Sequence, residues 1–110
     1  MEQVVLVLTN LPDAASAQSL AHALVESRLA ACVNLLPGVQ SVYRWQGAIE
    51  HATEVTLLIK TTQRHYPQLQ QAIVSAHPYD VPEVIALPIS DGHPAYLQWI
   101  ASETSQGNHA

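Results

Sequence analysis

The chain has 110 residues, which suffice for one domain with one core, and 48 % of them are hydrophobic, which disfavours intrinsic disorder. Only 12 % are charged, the net charge is −5, and the four Lys and Arg form no basic run. Nucleic acid and anionic membranes are therefore poor partners for this protein. The low charge also indicates a surface that other subunits cover.

The compartment is predicted from the cysteine count and the first residues. One cysteine cannot form an internal disulfide, so the fold does not depend on an oxidising environment. The segment MEQVVLVLTNLPD has no positively charged leader, and its apolar run is too short for a signal peptide or a membrane span. We therefore expect a cytoplasmic protein.

The first elements follow from local signals. The β-branched run from Gln3 to Thr9 predicts a strand that is buried on both faces. Pro12 indicates a turn, and Asp13 can cap the helix that follows. That helix has an apolar stripe composed of Ala17, Leu20, Ala21, Leu24 and Val25.

A long β-hairpin is predicted next. The pattern is extended from Ala31 to Gln46, with a bulge or bend at Pro37-Gly38. Gln46-Gly47 marks a tight turn, and the return strand runs from about Ala48 to Thr61. Arms of about 14 residues far exceed the usual 5–6, so they would leave apolar side chains and unpaired backbone exposed. Pairing with neighbouring subunits in a closed oligomer is the simplest remedy.

The second half repeats a helix and a strand. A helix carries Tyr66, Leu69, Ile73 and Ala76, with Pro67 in its first turn; the segment HPYDVPE (residues 77–83) ends it. A strand is predicted over Glu83 to Ile89, and Pro94 starts a last helix. The order βαββαβ plus a C-terminal helix predicts an α+β, ferredoxin-like sandwich. We expect one domain over residues 1–102 and a disordered tail over 103–110.

Several motifs then resemble the CutA family, also called CutA1 or divalent-cation tolerance protein. The matching segments are AACVNLLPGVQSVYRWQGAIE, LLIKTT, HPYDVPEVIALPI and YLQWI, which occur in the family's order and lie along nearly the whole chain. The resemblance implies a tight homotrimer joined through edge strands of the long hairpins. It also implies a role in tolerance to divalent metals, copper especially, and an architecture like that of the PII signalling proteins. The family has no established reaction, so no enzyme and no catalytic residue is expected.

The resemblance also implies positions for a copper site. In a bacterial relative the proposed ligands are a cysteine at the end of the first strand and two adjacent histidines before the Pro-Tyr of the loop. The matching positions here are Leu8, Ala76 and His77, so only the last retains a donor. Soft Cu(I) prefers thiolate or thioether ligands, and this chain has one Cys and one Met.

The candidate metal ligands are Cys32 and His77, for copper or another divalent cation. Cys32 could equally be a small buried hydrophobic residue. His77 could instead cap the last carbonyls of a helix. The remaining histidines form no metal motif, and His51 and His65 are expected to be exposed.

The candidate ligand-binding residues are Lys60, Tyr79, Asp80 and Glu83. The two prolines stiffen the loop that holds the last three, which serves both a connector and a fixed polar geometry. Lys60 is either an edge lysine or a buried charge that meets a carboxylate of a neighbouring subunit in a cleft with Tyr79. Tyr43 and Trp45 suit an interface or, as the alternative, an aromatic platform for a ligand.

The sequence thus predicts a homotrimer that binds a divalent metal or a small ligand between subunits and takes part in metal homeostasis. The alternative is a PII-like regulatory or scaffold trimer without a physiological metal, whose partner is a small organic anion or another protein. The sequence has no Walker loop, GxGxxG or CxxC motif, which disfavours the standard nucleotide and redox enzymes.

Overall fold

The computed structural model describes residues 2–105, and its elements alternate as the sequence predicts. In chain order they are β1 (Val4–Leu11), α1 (Ala14–Glu26), β2 (Cys32–Trp45), β3 (Ala48–Thr62), a 3₁₀ turn (Gln63–His65), α2 (Tyr66–Ala76), β4 (Ile85–Pro88) and α3 (Pro94–Glu103). The four strands form one antiparallel sheet in the order β2-β3-β1-β4. This is the predicted ferredoxin-like α+β fold.

Local signals explain where the two main helices begin. The Asp13 carboxylate accepts a 2.8 Å hydrogen bond from the Ser16 backbone N–H, as a capping residue should. Pro67 lies in the first turn of α2, where its missing N–H has no helical partner to lose. Of the predicted α1 stripe only Val25 is exposed, at 41 %, because it lies beside the buried face near the end of the helix.

The core lies between the two main helices and one face of the sheet. Val5, Val7, Leu57 and Ile59 alternate along β1 and β3 and are fully buried. They pack in one cluster with apolar residues of the helices, which include Leu20, Leu24, Leu69 and Ile73. This single layer explains why the helices lie on the same side of the sheet.

The other face of the sheet is largely uncovered, and we call it the open face. Leu6 and Leu8 of β1 point there and are only partly buried, so the prediction of a strand buried on both faces is wrong for the single chain. On β4, Ile85 and Leu87 are 48 % and 43 % exposed. Helix α3 covers one end of this face, where Ile100 packs in a cluster with Val4.

The long hairpin is confirmed, with arms of 14 and 15 residues. The register shifts between Leu36 and Val39, which places the predicted bulge at Pro37-Gly38. Gln46 and Gly47 have positive φ values of 49° and 83° and connect the paired Trp45 and Ala48. Two residues with positive φ are typical of a type I′ turn, whose twist matches that of the strands.

Several predicted boundaries differ from the structure. The first strand, predicted over Gln3 to Thr9, spans Val4–Leu11. The last strand, predicted over Glu83 to Ile89, spans Ile85–Pro88, because Pro82 restricts the residues before it. The Ile89 N–H still donates a 3.0 Å bond to the Val4 carbonyl. The predicted tail starts at residue 103, whereas Glu103 belongs to α3 and Thr104 is its buried C-cap. Residues 106–110 of that tail lie outside the described residues. Within residues 2–105, no helix has the length and apolar character needed to cross a membrane.

Candidate functional site

A cleft of about 660 Å³ opens between the long hairpin and the loop that follows α2, and we call it the hairpin cleft. Its lining residues are Asn10, Gln40, Ser41, Val42, Tyr43, Trp45, Glu54, Tyr79, Asp80, Val81 and Glu83. Its size falls within the range of about 300–1,000 Å³ that is usual for small-molecule sites. Three of the four predicted ligand-binding residues, Tyr79, Asp80 and Glu83, therefore share one cavity.

A buried carboxylate lies in the wall of this cleft. Glu54 is only 7 % exposed, and its Oε2 accepts a 2.8 Å hydrogen bond from the Tyr79 hydroxyl. Burial, followed by the bond to Glu54, raises the pKa of Tyr79 well above its usual range. The phenol therefore stays protonated and acts as a donor throughout the physiological pH range.

His77 holds the loop against the end of β1. Its Nε2 lies 2.7 Å from the Asn10 carbonyl oxygen, and its Nδ1 accepts a 3.2 Å hydrogen bond from the Tyr79 N–H. Nε2 therefore carries the proton and donates it to the carbonyl. The lone pair on Nδ1, which is the one that could bind a metal, accepts the Tyr79 N–H. His77 is the C-cap residue of α2, but its ring bonds the Asn10 carbonyl of β1 and not the last carbonyls of the helix, as the capping alternative required.

The cleft carries negative charge. The Glu83 Oε1 accepts a 3.2 Å hydrogen bond from the Asn10 amide, whose Oδ1 accepts a 2.6 Å bond from the Thr56 hydroxyl. Asp80 is exposed at the rim. Among the lining residues there are thus three carboxylates, and none is Lys, Arg or His. This electrostatic arrangement favours a cation over an anion.

Cys32 and Lys60 lie elsewhere in the fold. They are cross-strand partners on β2 and β3, with the Lys60 Nζ 3.8 Å from the Cys32 Sγ and hydrogen-bonded to the Asn34 side chain. Because β3 is a central strand, the edge-lysine alternative is wrong. Lys60 follows Glu54 by six residues on the same strand, a separation of about 20 Å. One chain therefore does not bring Lys60 to the hairpin cleft.

These positions decide whether one chain could hold copper as the resemblance implies. Leu8 and Ala76 offer no donor, and both ring nitrogens of His77 are engaged. Cys32 lies on the far part of the sheet, beside Lys60. Within residues 2–105, no three His, Cys, Asp or Glu side chains are grouped so that they could hold a metal ion. The residues of a single chain do not fit a copper site.

The prediction that His65 is exposed is wrong, although His51 is exposed as expected. His65 is 8 % exposed, and its Nδ1 lies 2.6 Å from the Thr62 hydroxyl. The 3₁₀ turn between β3 and α2 folds the ring inward. Burial lowers the pKa of His65; the nearby Glu2 opposes this effect and Arg64 adds to it.

Two residues of the candidate site, Glu54 and Asn10, were not predicted from the sequence. A signal existed for Glu54, because it is an acid that shares a strand face with Thr56 and Leu58 near the middle of a long hairpin. Asn10 gave no comparable signal, since a polar residue before a proline turn is common. Its role comes from two side-chain bonds and one backbone bond across the fold.

The fold and the cleft together define an α+β protein of the ferredoxin-like class with an overlong hairpin and an acidic pocket, typical of a binding protein. The sequence matches the family described as CutA1 divalent ion tolerance protein over residues 5–103, and the chain belongs to this family. That description names tolerance to ions rather than a reaction.

The similarity extends to relatives from distant organisms. A divalent-cation tolerance protein CutA of Thermus thermophilus is 48 % identical over 104 residues, which span 94 % of this chain and 99 % of the relative. The solved structure from that organism has a TM-score of 0.89 and covers 96 % of this chain and 100 % of its own. The CutA1 structure from Oryza sativa has a TM-score of 0.92 at 38 % identity, with coverage of 96 % and 97 %.

The human protein CutA is 48 % identical over 93 residues, which are 84 % of this chain but 52 % of the relative. This chain thus spans about half the length of the human protein. The names of two further relatives place them in different compartments, one chloroplastic in Arabidopsis thaliana and one periplasmic in Archaeoglobus fulgidus.

Proposed function

We propose that this chain forms a cytoplasmic homotrimer that takes part in divalent-cation tolerance and binds a small ligand in the hairpin cleft, which neighbouring subunits complete. Membership of the CutA1 family supports the tolerance role. The observation that carries the assembly is the uncovered apolar surface of the open face and the long hairpin.

The open face presents a continuous apolar row to water in the single chain. Leu58 pairs with Leu8, and Leu8 pairs with Ile85, so their side chains adjoin across three strands. Along the hairpin, Val42 and Ile49 are 65 % and 61 % exposed. An exposed apolar surface of this extent is typical of a subunit interface.

The sheet has two different free edges, β2 and β4. Unpaired backbone groups on such edges favour pairing with another chain. Pairing β2 of one copy with β4 of the next is a head-to-tail contact, and repeating it around an axis closes a ring. A ring of three is what the resemblance to the CutA family implies.

Metal binding at Cys32 and His77 is not part of this proposal, because His77 would have to release both of its hydrogen bonds. A divalent cation would need donors from more than one subunit. We therefore propose that tolerance does not depend on a copper site built on His77. The protein is proposed to act as a binding protein and not as an enzyme.

The assembly is tested by sedimentation equilibrium at micromolar concentration, where we expect the mass of three chains. Leu58→Glu places a charge in the apolar row and should yield monomers or unfolded protein. Val74→Glu is the matched control, since Val74 is 47 % exposed on α2, on the opposite side of the sheet, and should remain trimeric. A well-folded wild-type monomer at this concentration contradicts the proposal.

The metal statement is tested by isothermal titration with Cu(II), Cu(I) and Zn(II) on the wild type, His77→Ala and Cys32→Ala. We expect no site whose affinity falls in the His77 variant. Micromolar binding that is lost in both variants would show that the two residues form a metal site between subunits. It would contradict the proposal that tolerance does not depend on a copper site built on His77.

A second function is supported by Lys60, whose ammonium group lies on the open face beside Asn34 and Cys32. In a PII-like trimer this group would bind a small organic anion with no physiological metal. Titration with a dicarboxylate, compared between wild type and Lys60→Met, separates the two candidates. Binding that requires Lys60 favours the PII-like trimer, and its absence favours the hairpin cleft as the ligand site.

A further inference from the structure

We propose that the ligand of the hairpin cleft is an organic cation, with an ammonium or guanidinium group against Glu54 and an apolar part on Tyr43 and Trp45. This inference rests on the proposed function in that it names the ligand class of the same cleft. Four observations support it: a buried carboxylate with a free oxygen, an absence of neutralising side chains, two aromatic side chains, and the size of the cavity.

The free oxygen belongs to Glu54. Within residues 2–105, the Tyr79 hydroxyl is the one hydrogen-bond donor to this carboxylate, and it binds Oε2. The side chain is 7 % exposed and lines the cleft, so the unbonded Oε1 has only the cleft in which to find a partner. A carboxylate taken out of water is costly unless it is paired and hydrogen-bonded. A bound cation with N–H donors supplies both interactions.

The chain does not neutralise the cleft with its own cations. Arg28 contacts Glu103, Arg64 binds Glu2 through two hydrogen bonds, and Lys60 bonds the Asn34 side chain far from the cleft. The fourth cation, Arg44, makes no hydrogen bond or ion pair within the described part of the chain. The negative charges of Glu54, Asp80 and Glu83 therefore all attract a cation that enters the cleft.

The aromatic side chains favour an organic cation over a metal ion. In the single chain Tyr43 and Trp45 are 46 % and 43 % exposed, and both line the cleft. Aromatic faces attract ammonium and guanidinium groups and also cover an alkyl chain. A cavity of about 660 Å³ is far larger than a metal ion needs, and no metal-holding group of three side chains is found within residues 2–105.

A rival occupant is the Arg44 side chain of a neighbouring subunit. It lies near the tip of the hairpin, opposite Ile49, and the hairpin is the segment proposed to contact other copies. A small molecule is favoured because the cleft combines aromatic, amide and carboxylate groups around one open cavity, which is the composition of a ligand pocket. The experiment separates the two occupants.

The test is isothermal titration of the wild-type trimer with 1,4-diaminobutane and with agmatine, against 1,4-butanediol as the neutral compound of matched length. We expect both amines to bind, more weakly as salt is raised, and the diol not to bind. Glu54→Gln should weaken amine binding by about tenfold or more, since a charge-assisted bond is lost. Glu83→Gln at the rim should weaken it about two- to threefold.

The control variant is Glu26→Gln, which removes an exposed carboxylate of α1 on the opposite side of the sheet and should leave amine affinity unchanged. Circular dichroism and sedimentation on each sample separate loss of binding from loss of fold. If Glu54→Gln does not fold, the Glu83 variant and the salt dependence still decide the question. A monomer contradicts the proposed assembly, whereas a trimer that binds no amine contradicts this inference alone.

Besides a trimer that binds no amine in wild type and variants alike, three results overturn the inference. The first is amine binding that Glu54→Gln and Glu83→Gln leave unchanged. The second is a wild-type trimer that binds no amine while Arg44→Gln does, because the neighbouring arginine then fills the cleft. The third is Ca²⁺ or Mn²⁺ binding that requires Glu54 in place of amine binding.

Discussion

The hydroxyl of Tyr79 donates a 2.8 Å hydrogen bond to the carboxylate of Glu54, which joins the loop after α2 to strand β3. The two residues are 25 positions apart, and the bond closes one wall of the hairpin cleft. The prolines that flank Tyr79 in the loop, Pro78 and Pro82, restrict its backbone. The stiff loop therefore places a donor at a carboxylate that would otherwise be buried with no partner.

Removing that donor should destabilise the fold. Tyr79→Phe leaves the Glu54 carboxylate without its one hydrogen bond in the described structure, and we expect a loss of about 1.5–3 kcal/mol in the free energy of unfolding. Urea denaturation measures the change. Tyr43→Phe is the matched control, because its exposed hydroxyl makes no such bond and should change stability little. Equal losses in both variants would contradict the structural role of the Tyr79 bond.

The buried His65 makes stability depend on pH. Burial lowers the pKa of His65 in the folded state, so the unfolded chain takes up this proton first as the pH falls. The contribution of neutral His65 is present above the unfolded value of about 6.5 and is lost as the pH drops through the lower folded pKa. NMR titration of the folded protein should give His65 a pKa below the unfolded value of about 6.5.

The matched variants are His65→Gln and His51→Gln, since His51 is exposed. We expect His65→Gln to flatten the decline in the free energy of unfolding below about pH 6.5. We expect His51→Gln to leave the wild-type slope unchanged. An unchanged slope in His65→Gln would show that another group causes the acid sensitivity.

Two buried threonines should respond in opposite directions to the same substitution. The Thr9 hydroxyl is buried with no hydrogen-bond partner in the described structure, whereas the Thr61 hydroxyl donates a 2.7 Å bond to the Leu29 carbonyl. Thr9→Val should raise the free energy of unfolding by about 1 kcal/mol, because a methyl group removes an unpaired polar atom.

Thr61→Val should lower the free energy of unfolding by about 1–2 kcal/mol, because the Leu29 carbonyl loses its hydrogen-bond donor. Thermal denaturation of the two variants beside wild type measures both signs. A destabilised Thr9→Val protein would indicate that the hydroxyl has a partner, such as a buried water.

The hairpin turn requires a residue that tolerates positive φ. Gly47 has φ of 83° with open space around it, so a substitution there meets backbone strain rather than a steric clash. Gly47→Ala should lower the free energy of unfolding by about 1–2 kcal/mol. Gly47→Asn should lower it less, because Asn adopts the left-handed region more readily. Urea denaturation of the two variants tests the order. Equal losses would mean that the turn changes conformation instead of bearing strain.

Much of the fold is encoded in short-range signals, and these predictions are confirmed. The turn at Gln46-Gly47, the bulge at Pro37-Gly38 and the cap at Asp13 each depend on the residue itself and its nearest neighbours. Hydrophobic periodicity likewise predicted the order of strands and helices, because an apolar face must be buried against another element. Motifs spread along the chain identified the family.

The candidate site depends on contacts between distant parts of the chain. Tyr79, Asp80 and Glu83 were predicted as ligand-binding residues, yet the sequence could not show that Glu54 lies beside them or that Lys60 does not. Likewise, the ring of His77 could be a metal ligand until the structure placed the Asn10 carbonyl and the Tyr79 N–H against its two nitrogens.

The sequence by itself determined the elements, their order, the overlong hairpin and the family, because each is specified by local conformational preference or by the alternation of apolar residues. The tertiary structure alone decided the hydrogen-bond partners of Glu54 and His77, the burial of His65 and the separation of Cys32 from the hairpin cleft. Those outcomes depend on strand register and on packing across the sheet, which no residue encodes by itself.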